Sequence, residues 1–498
     1  MKLSVIISQI KTAFEISGNP DLISQINIED IAIDSRLVKK NSVFFALAGK
    51  MQDGSKFIAD AIKSGASLVV SSSENKDSSG VIFIKSENPF ELLIEFLKIY
   101  YHPIPANIYA ITGTNGKTSV AEFTRQILQF LGKKSASIGT LGVMCDEQIK
   151  LHLQNSALTT PDVVSLYKNL HILKKFAVDD VAIEVSSIGL EQGRINGVNI
   201  VVGAFTNFTQ DHLDYHKSMD EYLRCKMILF EKVVENGGSA VLNSDIAEFS
   251  QIKEICSKGN LNITEYGFKA RDLRLQKIEQ FELGQKVFFE FCQKNYQFEL
   301  AVGGDFQAFN ALCALGNVLA KNYLNDSQLV DLLTNFHLLQ PALGRMQRVG
   351  VLPNKAQIFI DFAHTPDALE NVLKLARKIT KNRVVVLFGC GGNRDNKKRP
   401  IMGKIACELA DLVIISDDNP RLEEAKLIRA EILVSCSSAK SLEIAGRKDA
   451  IEKAITMLED FDVLILAGKG HEKYQIIGDI KFEFDEELIV KNAIEKSS

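Results

Sequence analysis

The chain has 498 residues, beyond the ~250–300 at which a single core stops growing, so two to four domains are expected. Its formal net charge of -4 removes the electrostatic case for a nucleic-acid binder. No run approaches the ~18 apolar residues of a membrane helix, nothing near Met1 reads as a signal peptide, and the eight cysteines form no CxxC pair. The expectation is a cytoplasmic protein with reduced thiols and no membrane insertion.

From Met1 to about Tyr101 the pattern is mixed. SVFFALAG (42–49) and SLVVSS (67–72) read as strands, and SSSENKDSSG (71–80) as a surface loop. AIDSRLV supplies Ser35 and Arg36, and GKMQDG supplies Asp53 and Gly54, all in turns. The connector YHPIPANI (101–108) has two prolines in three residues, which suits a stiff linker.

Next come apolar runs, each followed by a helical pattern: ANIYAIT (106–112), VAIEVS (181–186) and NIVVGAFTN (199–207). A third group follows LQPALGRMQRV (339–349): IFIDFAHT, RVVVLFGCGG, DLVIISDDNP and DVLILAGKG. Apolar strands alternating with helices predict parallel α/β sheets, whose ligands sit at the carboxyl ends of the strands. The polar residues just after each run are therefore the candidates.

The first such loop is GTNGKTS (113–119). A phosphate-binding loop of the common kind reads G-x-x-x-x-G-K-[ST], which would place a glycine at position 111, where Ile111 stands. The context is nonetheless right. A strand ends at Thr112, and a helix starts at Thr118 with Val120, Phe123, Ile127 and Leu131 on one face and Gly132 as its stop. Loop amides and the helix N-terminus would face phosphates, Lys117 would neutralise β/γ charge, and Thr118 would ligate Mg²⁺. Further strand ends supply Glu184, Ser186, Ser187 and Arg194, then Asn207, Asp211, His212, Asp214 and His216. In SMDEYLRCKMILFEKVV (218–234), Lys226 lies on an apolar helical stripe with Tyr222, Leu223, Leu229 and Phe230. Such a lysine either snorkels to water or has a lowered pKa, and a neutral amine can add CO₂ to become a carbamate. The last loops offer Arg394, then Asp418, Asn419, Pro420 and Arg421, then Gly468 and Glu472. Two arginines and a glutamate suit a substrate bearing carboxylates and an ammonium group.

GTNGKTS, DHLDYH, LTTPD, DFAHTPDAL and DDNPR together resemble the Mur ligases over the whole chain, nearest those that add the third residue of the peptidoglycan stem peptide. Folylpolyglutamate synthases share GTNGK but typically continue GKGS; here Lys117 is followed by Thr118 and Ser119. The resemblance implies an α/β fold in three domains: a smaller N-terminal α/β domain (1–101) for a UDP-sugar substrate, a central P-loop-type, mostly parallel domain (102–342) for ATP, and a C-terminal Rossmann-like domain (343–498) for an amino acid. ATP is implied to contact Gly113, Thr114, Asn115, Gly116, Lys117, Thr118, Ser119, Asn310, Arg345, Asp361 and His364. Mg²⁺ is implied on Thr118, Glu184, His212 and a carbamylated Lys226, and with Lys117 these last three form the catalytic set. The UDP-muramoyl dipeptide is implied at Ser35, Thr159, Thr160, Ser186, Gln192 and Arg194. Relatives that add meso-diaminopimelate carry DNPR, so Arg394, Asp418, Asn419, Pro420, Arg421, Gly468 and Glu472 are implied to hold that amino acid. The expected enzyme is a monomer acting on small molecules, in cytoplasmic peptidoglycan precursor synthesis. Two positions depart from the family pattern: Ile188, where His is usual, and Gln307, where Asn is usual.

Overall fold

The computed structural model describes residues 1–17, 21–49, 53–73, 81–154, 156, 158–281 and 284–497. From 74 on, the loop expected over 71–80 lies outside the described residues, as do 50–52 of GKMQDG.

Three α/β sheets follow one another along the chain. The N-terminal sheet has the order Glu15–Ser17, Ile82–Lys85, Ala66–Ser71, Ser42–Phe45, Asp30–Ala32. Its strands are parallel except for the antiparallel edge Glu15–Ser17. The central sheet has ten strands. Its parallel heart runs Leu273–Phe281, Asn262–Gly267, Val234–Asn243, Ile200–Phe205, Asn107–Thr112, Asp180–Glu184, Ser135–Gly139. The C-terminal sheet has the order Gln347–Val351, Gln357–Asp361, Val463–Ala467, Val384–Phe388, Leu412–Ile415, Ser441–Glu443, antiparallel only at Gln347–Val351.

Burial on both faces explains why these strands read as unbroken apolar runs. In Asn107–Thr112, Ile108 and Ala110 point into one core and Tyr109 and Ile111 into another. In Val384–Phe388, Val384, Val386 and Phe388 serve one core and Val385 and Leu387 a second. Each strand's polar residue is thereby pushed past its carboxyl end.

The sequence reading did not foresee the antiparallel meander Leu273–Phe281, Gly284–Phe291, Lys294–Leu300 that extends the central sheet. Its inward residues alternate, with Leu273, Leu275, Val287, Phe289, Phe298 and Leu300 buried and polar neighbours outside. The stretch 218–234 is α-helical over Met219–Ile228 and then loosens into a π-helical turn, Leu229–Val233.

Candidate active site at the junction of the central and C-terminal sheets

The loop after Asn107–Thr112 explains the missing glycine. Ile111 is fully buried and pairs in register with Ala204 on one side and Glu184 on the other, so it is sheet, not loop. The turn begins at Gly113, whose φ is 139° and where a Cβ would meet Thr206 Oγ1 at 2.0 Å. At Gly116 φ is 85° and a Cβ would sit 2.5 Å from Asn310 Oδ1, so Asn310 packs directly beneath the loop. The loop is held from the next strand. Thr114 N donates to Asn207 O (2.9 Å), Asn115 N to Asn207 Oδ1 (2.8 Å), and Thr206 Oγ1 to Asn115 O (2.6 Å). These bonds leave a helix N-terminus, that of Lys117–Phe130, facing the sheet edge.

Two ammonium groups converge on one carbonyl. Lys117 Nζ donates to Gly113 O (2.9 Å) and Thr114 O (2.6 Å), and Lys226 Nζ donates to the same Gly113 O (2.7 Å). Lys226 is 1% exposed, which settles the alternatives left by the sequence: it does not snorkel. Its ammonium lies 4.3 Å from the Tyr222 ring centroid. Burial, and then the charge on Lys117, hold Lys226 well below the usual lysine range.

Glu184 is 2% exposed at the end of its strand. Its carboxylate accepts from Thr118 Oγ1 (2.9 Å), Thr140 N (2.8 Å) and Thr140 Oγ1 (3.1 Å). Among the described residues no lysine, arginine or histidine forms an ion pair with it, and burial raises it above the usual glutamate range. The sign of the linkage follows. Below the ordinary glutamate value of about 4.3 both folded and unfolded chains carry the proton, and the shift has no effect. As pH rises through the folded pKa, the buried charge must form and stability falls. Glu184→Gln therefore raises the melting temperature of the metal-free protein at neutral pH. The gain shrinks as pH falls toward about 4, and thermal melts over that range check it.

His212 adopts φ of 55°, a left-handed conformation costly for a residue with a Cβ and common at working sites. Its Nε2 lies 3.4 Å from Asp211 Oδ2, and His364 of the C-terminal sheet reaches the same oxygen at 3.9 Å. Burial lowers both imidazoles, His364 to about 4. Burial would raise Asp211, but His212, His364 and Lys398 outweigh it and hold the carboxyl below its usual range. His216 is buried and its Nε2 meets Ser187 Oγ at 2.9 Å, tying this loop to the turn after Glu184.

Thr159 and Thr160 lie beside this group. Thr140 Oγ1 and Thr159 Oγ1 lie 3.2 Å apart, Ser186 N donates to Thr160 Oγ1 (2.9 Å), and Arg194 Nη1 donates to Thr160 O (2.8 Å). Gln192 accepts from the Arg194 guanidinium (2.7 Å). Ser186 caps the short helix Ser187–Glu191, which contains Ile188. Gln307, fully buried, accepts from Asn310 Nδ2 at 3.1 Å and so braces the residue under the loop. Ser119 is buried on the first helical turn. Ser35 stands in the N-terminal unit, in the turn Ser35–Leu37, and shares no hydrogen bond with this group among the described residues.

The C-terminal unit closes the other side. Arg345 Nη2 donates to Thr118 Oγ1 (3.3 Å), its guanidinium packs 4.6 Å from the Phe362 ring centroid, and Asp361 anchors the turn by accepting from Met346 N and Ala363 N (2.7 Å each). Asn115 Nδ2 donates across the boundary to Asp367 Oδ2 (2.8 Å). Three further loops meet at the edge of this sheet. Arg421 has φ of 53° and its Nη1 donates to Gly392 O (3.0 Å). Burial, and then the neighbouring charge of Arg394, weaken its hold on its proton. Asn419 Nδ2 donates to Glu472 Oε2 (2.9 Å), and Gly468 (φ 113°) presses against Asp418. Pro420 is buried. Two adjacent guanidinium groups, one half-buried, make a place for a carboxylate. This edge reaches the central unit, for Gln210 Nε2 donates to Asp395 Oδ2 (3.2 Å) and Arg394 pairs with Asp214 (3.7 Å).

The sequence reading passed over Thr140, Asp367 and Lys469. Thr140 follows the buried strand Ser135–Gly139, so the rule of inspecting strand ends would have found it. Asp367 lies inside DFAHTPDAL and was visible there.

Known proteins resemble this chain along its length. Residues 27–101 match the family described as Mur ligase family, catalytic domain; 111–318 match the Mur ligase middle domain; 344–470 match the Mur ligase, glutamate ligase domain. The UDP-N-acetylmuramoyl-L-alanyl-D-glutamate--2,6-diaminopimelate ligase of Rickettsia conorii is 40% identical over 478 residues, covering 95% of this chain and 97% of its own. The protein of that name from Brucella melitensis is 39% identical over 476 residues, covering 95% and 96%. A solved structure of a ligase so named superposes with a TM-score of 0.66 at 28% identity, over 100% of this chain and 99% of the other.

Proposed function

The chain belongs to the Mur ligase family, and on that premise we propose that it joins meso-diaminopimelate to UDP-N-acetylmuramoyl-L-alanyl-D-glutamate, with ATP converted to ADP and phosphate. The domains divide as their motifs imply: 1–101 for the UDP-sugar, 102–342 for ATP and 343–498 for the amino acid. The observation that carries the reading is the contact between the two sites. The arginine loop, through Arg394 and Asp395, touches the same 210–214 segment that carries His212. An amine held by the C-terminal unit is thus beside a carboxyl group activated in the central one. No helix among the described residues is long and apolar enough to cross a membrane, which fits work on soluble precursors of peptidoglycan in the cytoplasm.

Two steps follow. The D-glutamate γ-carboxylate oxygen attacks the γ-phosphorus, and the bond to the ADP oxygen breaks. The diaminopimelate amine then attacks the acyl carbon, loses a proton, and phosphate departs. In the first step Lys117, the loop amides at 113–118 and Arg345 orient the triphosphate and neutralise charge. Thr159, Thr160, Ser186, Gln192 and Arg194 hold the dipeptide end, and Ser35 the uridine end. Asn310, Asp361 and His364 line the nucleotide. No nucleophilic side chain is needed.

The donors around Glu184 fit a hard divalent cation. A buried carboxylate lies against the Thr118 hydroxyl, in no ion pair among the described residues, and both groups offer oxygen. Thr118, Glu184, His212 and Lys226 would hold Mg²⁺, which would supply charge stabilisation at the transferring oxygens. Lys226 suits that role as a carbamate. Two ammonium groups on Gly113 O repel one another, and carbamylation turns one of them into an anion facing Lys117. Native mass spectrometry and crystallography at ambient CO₂ then find a carbamate on Lys226, and a free amine by both methods contradicts it.

The acyl phosphate is tested with ¹⁸O in the γ-carboxylate of the dipeptide. One label passes into the released phosphate. Unlabelled phosphate with full amide yield excludes this route.

A further inference from the structure

Lys469 follows Gly468 and is fully buried, yet no step above uses it. Its ammonium donates to Asn419 Oδ1 (3.1 Å) and to Glu472 Oε2 (3.4 Å), and lies 5.8 Å from the ring centroids of Tyr474 and Phe484. Of the other acids nearby, Glu486 is paired with Arg447 and Asp418 accepts from Asn419 N, while Glu472 lies within ion-pair distance of Lys469 (3.4 Å). Glu472 Oε2 accepts from both Asn419 and Lys469, while Oε1 has the Tyr474 hydroxyl at 3.4 Å. One oxygen is thus fixed from below and the other is left for a ligand.

The same cluster fixes the arginine loop. Asn419 Oδ1 also accepts from Ile476 N (2.9 Å), Gln475 Nε2 donates to Asp418 O (2.6 Å), Arg421 N donates to Ile476 O (3.1 Å), and Gly478 N to Arg421 O (2.8 Å). The hairpin Tyr474–Ile477 with Ile480–Glu483 thereby holds residues 418–421, including Arg421 in its left-handed conformation. Lys469 and Glu472 together join this loop to the hairpin.

We propose that Lys469 is a positioning residue for the incoming amino acid. It holds Glu472 aimed at the distal ammonium of a diamino diacid, and through Asn419 it fixes the loop whose Arg421 meets the distal carboxylate. The inference rests on the ligase reading above. Removing one partner of a buried charge pair leaves the other uncompensated and mobile, so the loss falls on amino-acid binding.

The test is steady-state kinetics of the full-length enzyme with each of its three substrates varied. Lys469→Met raises KM for meso-diaminopimelate ~10²-fold and leaves KM for ATP and for the UDP-dipeptide within about twofold. Lys469→Gln, which retains a donor to Asn419, falls between Met and wild type. In a Glu472→Gln background the cost of Lys469→Met shrinks to under about tenfold, the part that runs through Asn419. A Lys469→Met enzyme with wild-type KM, an undiminished cost in that background, or equal losses for all three substrates with a lowered melting temperature each overturns the proposal. A wild-type enzyme that makes no product with meso-diaminopimelate instead refutes the ligase reading itself.

Discussion

Lys117→Ala lowers kcat by at least ~10³-fold while the protein keeps its fold and its melting temperature. The size of the effect follows from where the ammonium lies. In the unliganded loop it is spent on two backbone carbonyls, Gly113 O and Thr114 O. Burial lowers its pKa, against the opposing pull of Glu184 and Asp211. Bound phosphates would take it from carbonyls that already have another donor, Lys226, at Gly113 O. The exchange costs little in the ground state, and the charge gained in phosphoryl transfer is fully realised. The side chain is only partly buried and belongs to no core, which is why the fold survives. Circular dichroism and a thermal melt, beside an assay of phosphate release, check both halves. Retained turnover overturns the assignment of the loop.

Arg421→Met removes most of the preference for diaminopimelate over lysine. A site with two guanidinium groups for a distal carboxylate rejects an analogue that lacks it by ~10⁴-fold, because the cations are then left unsatisfied. Arg421 is the more buried of the pair; Arg394 is over half exposed and leans on Asp214. Arg421 therefore carries more of the discrimination. We expect kcat/KM for meso-diaminopimelate to fall ~10³-fold in Arg421→Met, and that for lysine to change by less than about tenfold. Arg394→Met has a smaller effect, screened by solvent. Ratios measured with both amino acids on each variant decide it, and an unchanged ratio in Arg421→Met would falsify the role given to DNPR.

The strands that carry the site were legible because they are buried on both faces. NIYAIT, VAIEV, VVVLF and VLILA have no polar alternation to confuse them with helix, and each ends in the side chains that matter. The meander over 273–300 escaped because its strands mix one apolar face with charged and amide residues, a weaker pattern. The burial of Lys226 was not decidable from a stripe of apolar neighbours, which permits snorkelling equally well; only the packing of Tyr222 and the loop carbonyl settles it. The sharing of Gly113 O by two lysines had no signal in sequence at all, since 109 positions separate Lys117 from Lys226. Likewise Lys469 looked like part of a glycine turn, and its contacts with Asn419 come from 50 residues away.

We propose that one ATP is consumed only when a carboxyl acceptor and a diamino acid are both in place. Phosphate release should be measured with ATP and Mg²⁺, with and without UDP-N-acetylmuramoyl-L-alanyl-D-glutamate, and with meso-diaminopimelate or lysine, and the product weighed by mass spectrometry. Steady release is expected only with the dipeptide and meso-diaminopimelate together, one phosphate for each tripeptide product. Steady ATP hydrolysis without either substrate, or equal product from lysine, would contradict it.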